Sequence, residues 1–323
     1  MDPGAGVIPV PAPTAGALDV HSEPAGERAL GDRALGDRAL GDRAGPIGVV
    51  VPGGADCGLG PLRGRLLAGL AAALDPRRYP LLLAGVADPA RQVSQQRRWW
   101  QTGRIAGSVL IDLYDTPLDL AELHSEGVPV VVLGPPRPGA GCLSVWPDEA
   151  AAVDNTVRYL AALGHRRIAR VPSAPGLRHT AARGASLSAL IGELGLEEIP
   201  GAPADPLHEQ TGRPTRTLLS VPRRPTAILY DSDVAAAAGL AVAAEMGLTV
   251  PRDLSVLSWN DSPLCRLTHP PLTAMSDDLT TTATRAARLL LHHLGPDPAP
   301  PAPPPPTLTL RASSALLRHR PLA

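Results

Sequence analysis

IGVVV (47–51), PLRGRLLAGLAAAL (61–74) and YPLLLA (79–84) follow one another near the start of the apolar part of this chain, and together they decide the fold. The first is a short apolar run rich in β-branched residues, which reads as a buried strand. The alanine- and leucine-rich segment after it has helix length, and the leucine run that follows is short again. The alternation continues through DPARQVSQQRRWWQ (88–101), IAGSVLI (105–111), PLDLAELHSEG (117–127) and VPVVVLG (128–134). Near-continuous apolar strands separated by helix-length segments build a parallel sheet joined by crossover helices, so the fold class is α/β. Asp88 followed by Pro89 predicts a helix start there, with an N-cap and a proline at the first helical position.

After Ser144–Trp146 the pattern begins again: a helix over 148–163, the strand RRIARVP (166–172), a helix over 181–194, the strand PTAILY (225–230), a helix over 233–246 and the strand LSVLSW (254–259). PLTAMS (271–276), a helix around 279–293, a proline run at 298–306 and a last strand TLTLRAS (307–313) complete it. The proline run cannot be a helix or a central strand and reads as a surface connection. Ahead of all this, residues 1–45 are rich in Pro, Gly and Ala and hold seven acidic residues against four Arg. Within that arm ALGDR occurs three times over 29–43. Leucines five residues apart step around a helix by about 140° each time and form no stripe, and each unit carries a glycine, so the arm reads as a disordered, solvated linker.

Composition narrows the function classes. An apolar fraction of 44% over 323 residues supports a large core, and a net charge of −1 gives no field that would draw nucleic acid or lipid. Cys57, Cys142 and Cys265 are far apart and form no CxxC pair, so neither disulfides nor a zinc site are expected. The N-terminus has no Arg before Arg28 and no apolar run reaches membrane-span length, which implies a cytoplasmic protein with no membrane partner. No GxSxG or HExxH occurs, and a P-loop would need a Lys that the chain does not contain. The glycines of PGGADCGLGPLRG (52–64) are spaced GxGxxxG, one residue too long for a dinucleotide fingerprint, and no acidic residue ends the second strand. The reading is a non-enzyme without cofactor or metal.

The order IGVVVP, IAGSVLI, GVPVVVLG, YLAALGHRRIARV, RPTAILYDSD, EMGLTVPRDLSVLSWND and HPPLTAM resembles the ligand-sensing core of the lactose-repressor/galactose-repressor (LacI/GalR) transcriptional regulators over roughly residues 46–318. That resemblance implies two doubly wound parallel-sheet subdomains of the type I periplasmic-binding-protein kind, joined by three crossings near Val145, near Met275 and in the proline run. It divides the chain into the arm 1–45, a first subdomain of 46–145 with 276–305, a second of 146–275 with 306–318, and a tail 319–323. A ligand would lie in the cleft between the subdomains, at the strand ends.

The resemblance also carries over particular positions. GPLR stands where the family has an Asn-Pro-aromatic-aromatic stretch against the ligand, so Arg63 brings a charge where a ring is usual. Ser232 replaces an Asn that reaches the ligand, and Asp233 is either the cap of the next helix or a ligand group. Asn260 takes the place of a ligand-binding carboxylate; it either holds a hydroxyl or, with Asp261, only shapes a turn. Arg178 and Arg183 both lie where the family sends an arginine into the cleft. Asp148 and Glu149 are read as capping or contacting, and Trp146 as lining the cleft or packing. Gly164, His165, Arg166 and Arg167 close a helix, with cations at its carbonyl end. Trp99 and Trp100, in an Arg-rich patch with Arg97, Arg98 and Arg104, are expected to place one ring in the core and the other in a dimer surface rather than to stack on nucleic acid.

The expected function is that of a homodimeric transcriptional regulator's effector-binding core, taking a small polar effector such as a sugar. Residues 1–45 contain no helix-turn-helix head and would be repelled by phosphate, so DNA is a partner only if an upstream head exists or through a complete relative. The alternative is a solute-binding protein that delivers a sugar to a transporter.

Overall fold

The computed structural model describes residues 45–52, 61–75, 78–88, 90–111, 120–136, 141–173, 176–204, 210–295 and 305–317. The arm with its repeat, Cys57, most of the glycine loop after the first strand, Pro89 and the tail lie outside these residues, as does the proline run up to Pro304.

In chain order the first elements are β1 (Ile47–Pro52), α1 (Pro61–Ala73), β2 (Leu81–Val86), α2 (Arg91–Gln101), β3 (Gly107–Ile111), α3 (Leu120–Ser125), β4 (Val130–Leu133) and β5 (Leu143–Val145). The strands form a parallel sheet in the order β2-β1-β3-β4-β5. A second set follows: α4 (Glu149–Ala162), β6 (Arg167–Val171), α5 (Arg178–Glu193), β7 (Glu197–Pro200), α6 (Arg213–Ser220), β8 (Ala227–Tyr230), α7 (Asp233–Glu245), β9 (Ser255–Ser258), α8 (Leu264–Leu267), β10 (Thr273–Ser276), α9 (Leu279–Leu294) and β11 (Thr307–Thr309). Its sheet runs β11-β10-β9-β8-β6-β7, parallel except for β11, which is antiparallel to β10. β3, β4, β8 and β9 are buried along their whole length, which is why their sequences are apolar without alternation.

Each sheet is covered on both faces. In the first, Val49, Val51 and Val109 pack with Leu66, Leu70 and Leu290, while Val50 meets Trp99 and Ile105 on the other face. In the second, Ile228 and Val256 pack towards α6 and α7 beside Leu218 and Leu240, and Leu229 and Leu257 towards α4 and α5 beside Val157 and Leu187. α9 follows β10 of the second sheet yet packs on α1, β3, β4 and β5 of the first. The chain thus passes between the sheets after Val145, after Ser276, and again between Leu294 and Thr307. α1 and α9 approach closely at Gly69, where a Cβ would lie 2.8 Å from that of Ala283.

Four short elements were not legible in the sequence, among them β5, three residues long at the edge of the first sheet. β7 (EEIP) is mostly exposed and pairs only with β6 at the sheet edge, so no apolar run marks it. α6 carries Pro214 in its first turn, and α8 is one turn long. Two helix starts also differ from expectation. α2 begins at Arg91, because Asp88 caps only the turn before it through the Ala90 N–H at 3.0 Å. α5 begins at Arg178, three residues before Ala181, which makes that arginine the first helical residue.

Tyr230 ends β8 fully buried, and its hydroxyl lies 2.8 Å from that of Thr215. Gly239 of α7 faces the ring, with a Cβ there placed 2.3 Å from the Tyr230 oxygen and 2.6 Å from Cζ. The fully buried ring has no solvent to move into, so Gly239→Ala is expected to cost about 2 kcal/mol through overpacking. A Tyr230→Phe/Gly239→Ala pair that is destabilised by less than the two single changes together, in urea titrations, checks that cause.

Candidate functional site

The strand order turns around β6 in the second sheet, where β7 lies on one side and β8 on the other, and the carboxyl ends of β6, β8 and β9 converge there. A topological switch point of this kind leaves a crevice beyond the strand ends. What fills it is charged. Arg170, the fourth residue of β6, sits between the apolar Ala169 and Val171 and is buried. It donates to both carboxylate oxygens of Asp231, from Nε at 2.9 Å and from Nη2 at 2.5 Å, and Nη2 also reaches the Thr180 carbonyl at 2.7 Å. Asp231 follows β8 directly, is buried, and accepts the Ser173 backbone N–H at 3.3 Å.

Arg183 completes the group from α5. It is buried, lies 3.4 Å from Asp231 Oδ1, donates to Glu149 Oε1, and places its guanidinium 4.4 Å from the centre of the Trp259 ring. Burial by itself would push the Asp231 carboxyl up, but Arg183 and Arg170 outweigh it and hold the group below the ordinary carboxylate range. Burial would likewise lower Arg183, and Asp231 and Glu149 outweigh that, so its charge is held.

Beside this network a small cavity lies where the two sheets' elements meet. Among the described residues, Arg65 lines it from α1, Asp233 from α7, Asn260 and Asp261 from the turn after β9, Met275 from β10 and Asp277 from the second crossing. Arg65 Nη1 donates to the Asp261 carbonyl at 3.4 Å, a link from a helix of the first sheet to a turn of the second. Asp261 Oδ2 accepts from Arg311 at 2.8 Å and from Ser276 at 2.6 Å. The cavity has about 10 Å³ of space for water, room for roughly one molecule.

Asp277 is the unusual member. Burial and the nearby Glu149 carboxylate raise its pKa to about 6, against the pull of Arg183 and Arg65. A carboxyl raised in the folded state binds more protons than in the unfolded chain between its unfolded value, about 4, and 6, so stability falls as pH rises through that window. Asp277→Asn is therefore expected to melt higher than the parent at pH 7.5, and the advantage should vanish near pH 4. A variant that melts lower at both pH values would refute it.

Of the residues named at ligand positions in the sequence, Asn260, Asp233 and Asp261 are among the described residues lining this cavity, and Asn260 Nδ2 donates to the Asp231 carbonyl at 3.1 Å. Arg183 is one residue away in the network, and Ser232 is buried at the N-cap of α7 without a side-chain cap bond. The cap position belongs to Ser232, and Asp233 is the first helical residue, its Oδ1 accepting the Val234 N–H at 2.9 Å. Arg63 stands half-buried in the first turn of α1. Arg178 stands half-buried at the start of α5, turned about 140° around the helix from Arg183. Trp146 packs on the His179 ring, 5.6 Å between centroids. Asp148 caps α4 by accepting the Ala150 N–H at 3.0 Å, whereas Glu149 turns inward to Arg183.

His165 is buried between the Thr226 and Ser255 hydroxyls, each 3.0 Å away, and burial lowers its pKa. Gly164 takes φ +84° and Arg166 reaches the Ala161 carbonyl at 3.2 Å, the helix-closing roles expected of them. Trp99 is buried in the core, and Trp100 is half-buried with Nε1 donating to the Glu126 carbonyl at 3.3 Å. Arg170, Asp231, Asp277 and Arg65 were not assigned roles from the sequence. An arginine inside a buried strand was the available signal, since such a charge must find a carboxylate at the neighbouring strand end.

Known proteins frame this geometry. A family model described as a periplasmic binding protein-like domain matches residues 157–314. The HTH-type transcriptional regulator MalR of Streptomyces coelicolor is 31% identical over 198 residues, 57% of this chain and 56% of that protein. The chain spans about half the length of the curated relatives it matches. A CelR–cellobiose complex shares the fold at a TM-score of 0.71 and 23% identity, over 83% of this chain and 84% of that one. The crystal structure of a LacI-family transcriptional regulator from Bifidobacterium animalis subsp. lactis superposes with a TM-score of 0.76 at 34% identity, covering 84% of this chain and 98% of that one. With two sheets, three passages between them and that degree of identity along nearly the whole of a member, this chain belongs to the LacI family of transcriptional regulators.

Proposed function

We propose that the chain is the effector-sensing core of a regulator of transcription, and that the effector is a small polar molecule of the sugar class held in the cleft between the two sheets. The observation that carries this reading is the cavity at the switch point, lined by Arg65 from α1 together with Asn260, Asp261 and Asp277 from the other side and the crossing. Arg63, Trp146, Arg178, Arg183 and Ser232 join Asn260 as the ligand's surroundings in this reading. The subdomains are 46–145 with 276–305 and 146–275 with 306–318. Space for roughly one water does not admit a sugar, so the sheets part to receive it, and the ligand moves that equilibrium only by its difference in affinity for the two forms. The named relatives are regulators, which favours this over delivery to a transporter. A homodimer acting on DNA belongs to the whole regulator. Among the described residues no helix is long and apolar enough to cross a membrane.

A thermal-shift screen with monosaccharides and disaccharides, cellobiose among them, tests the reading. At least one should raise the melting temperature of the parent and fail to raise that of Asn260→Ala. A screen in which no sugar moves either protein would sink it.

A further inference from the structure

Among the described residues, the cavity is short of hydrogen-bond donors. Asp233 is only 6% exposed, and while its Oδ1 takes the Val234 N–H, its Oδ2 is buried with no partner. Asp261 gives Oδ2 to Arg311 and Ser276 and leaves Oδ1 buried and unpartnered, and Asp277 Oδ1 is in the same state. Among the described residues, three carboxylates therefore line the space against one guanidinium, that of Arg65, which is exposed. The other cations close by are committed: Arg170 and Arg183 to Asp231, Arg183 also to Glu149, and Arg311 to Asp261. A buried carboxylate oxygen without a donor is costly, and a protein retains several in one place where something else supplies the donors.

We propose that the effector is positively charged, a sugar or polyol bearing an amine, and that Asp233 is the carboxylate that selects it. This rests on the reading of the cleft as the effector site. A neutral sugar brings hydroxyl donors but leaves the buried charge in place, whereas an ammonium brings three donors and offsets the charge. An acidic sugar would add a fourth negative group to a cavity whose one lining cation among the described residues is Arg65. Asp233 is suited to the role because it is held at the first position of α7, where the Val234 N–H fixes Oδ1 and Oδ2 is left for a ligand.

The test is isothermal titration of the full chain at pH 7 with glucose, glucosamine and glucuronate, and with their galactose counterparts. The amino member of at least one set should bind ten times more tightly than its neutral parent or better, with the uronate weakest. Asp233→Asn, checked for an unchanged melting temperature, should cut that advantage below threefold, and Asp277→Asn should reduce it as well. Binding by a neutral sugar or a uronate as tight as by the amino sugar would overturn the charge assignment and leave the cleft reading standing. Heat from none of the six would overturn both.

Discussion

Asp231→Ala is expected to destabilise the folded chain by about 5 kcal/mol, the upper end of what breaking a buried ion group costs. The substitution leaves Arg170, 9% exposed, and Arg183, 4% exposed, without the carboxylate both face. Arg183 would keep Glu149, but Arg170 would keep only the Thr180 carbonyl. A fall of roughly 10 °C or more in melting temperature follows from a loss of that size. Asp231→Asn should do less harm, since an amide retains one acceptor for the guanidinium groups. The cause is checked by adding Arg170→Met to an Asp231→Leu variant: replacing both partners of a buried pair with apolar groups should recover part of the loss. An Asp231→Ala protein within 1 kcal/mol of the parent in urea titration at pH 7 would show that the network does not hold the sheet end together. The sign with pH is also set. A depressed carboxyl gives stability that is present above its unfolded value, about 4, and is lost as pH falls through its lower folded value, so the difference between parent and variant should persist unchanged through neutral pH.

The second large effect is expected at Trp259. Its side chain is 1% exposed, closes the end of β9, and packs with Val153, Leu187 and Met275 on one face of the second sheet. Its backbone N–H donates to the Tyr230 carbonyl at 2.7 Å, and its ring carries the Arg183 guanidinium. Trp259→Ala removes a large buried ring and opens a cavity beneath a buried cation, for about 3–5 kcal/mol. Trp259→Phe tells packing from polarity. The indole Nε1 has no hydrogen-bond partner, so phenylalanine loses some contact area but also removes an unsatisfied donor, and its cost should be less than half that of alanine. Equal losses for the two variants in the same titration would contradict this account.

How far each feature could be read from residues alone depends on what made it. The buried central strands were legible because burial on both faces writes itself as runs such as VPVVVLG, and the helix ending at Gly164 because a positive φ there suits glycine. β7 escaped notice because EEIP pairs at an exposed edge, where only the backbone bonds to β6 define the strand. The cleft was less legible than the fold. Asn260 was named and lines the cavity, but Asp277 sits on a crossing with nothing local to mark it, and its raised pKa comes from burial in the assembled cleft and from Glu149, 128 residues earlier in the chain.

By itself the sequence determined the fold class, the division into two α/β halves and the family resemblance, because these rest on local periodicity and on motifs in order, and the resemblance implied where the chain passes between the halves. Only the tertiary structure decided which charges meet. It spends Arg170 and Arg183 on Asp231, turns Glu149 from a capping position inward, and leaves the carboxylates of Asp233, Asp261 and Asp277 around one small space. Pairing of charges depends on distances between strand ends far apart in the chain, and those distances exist only once both sheets are built.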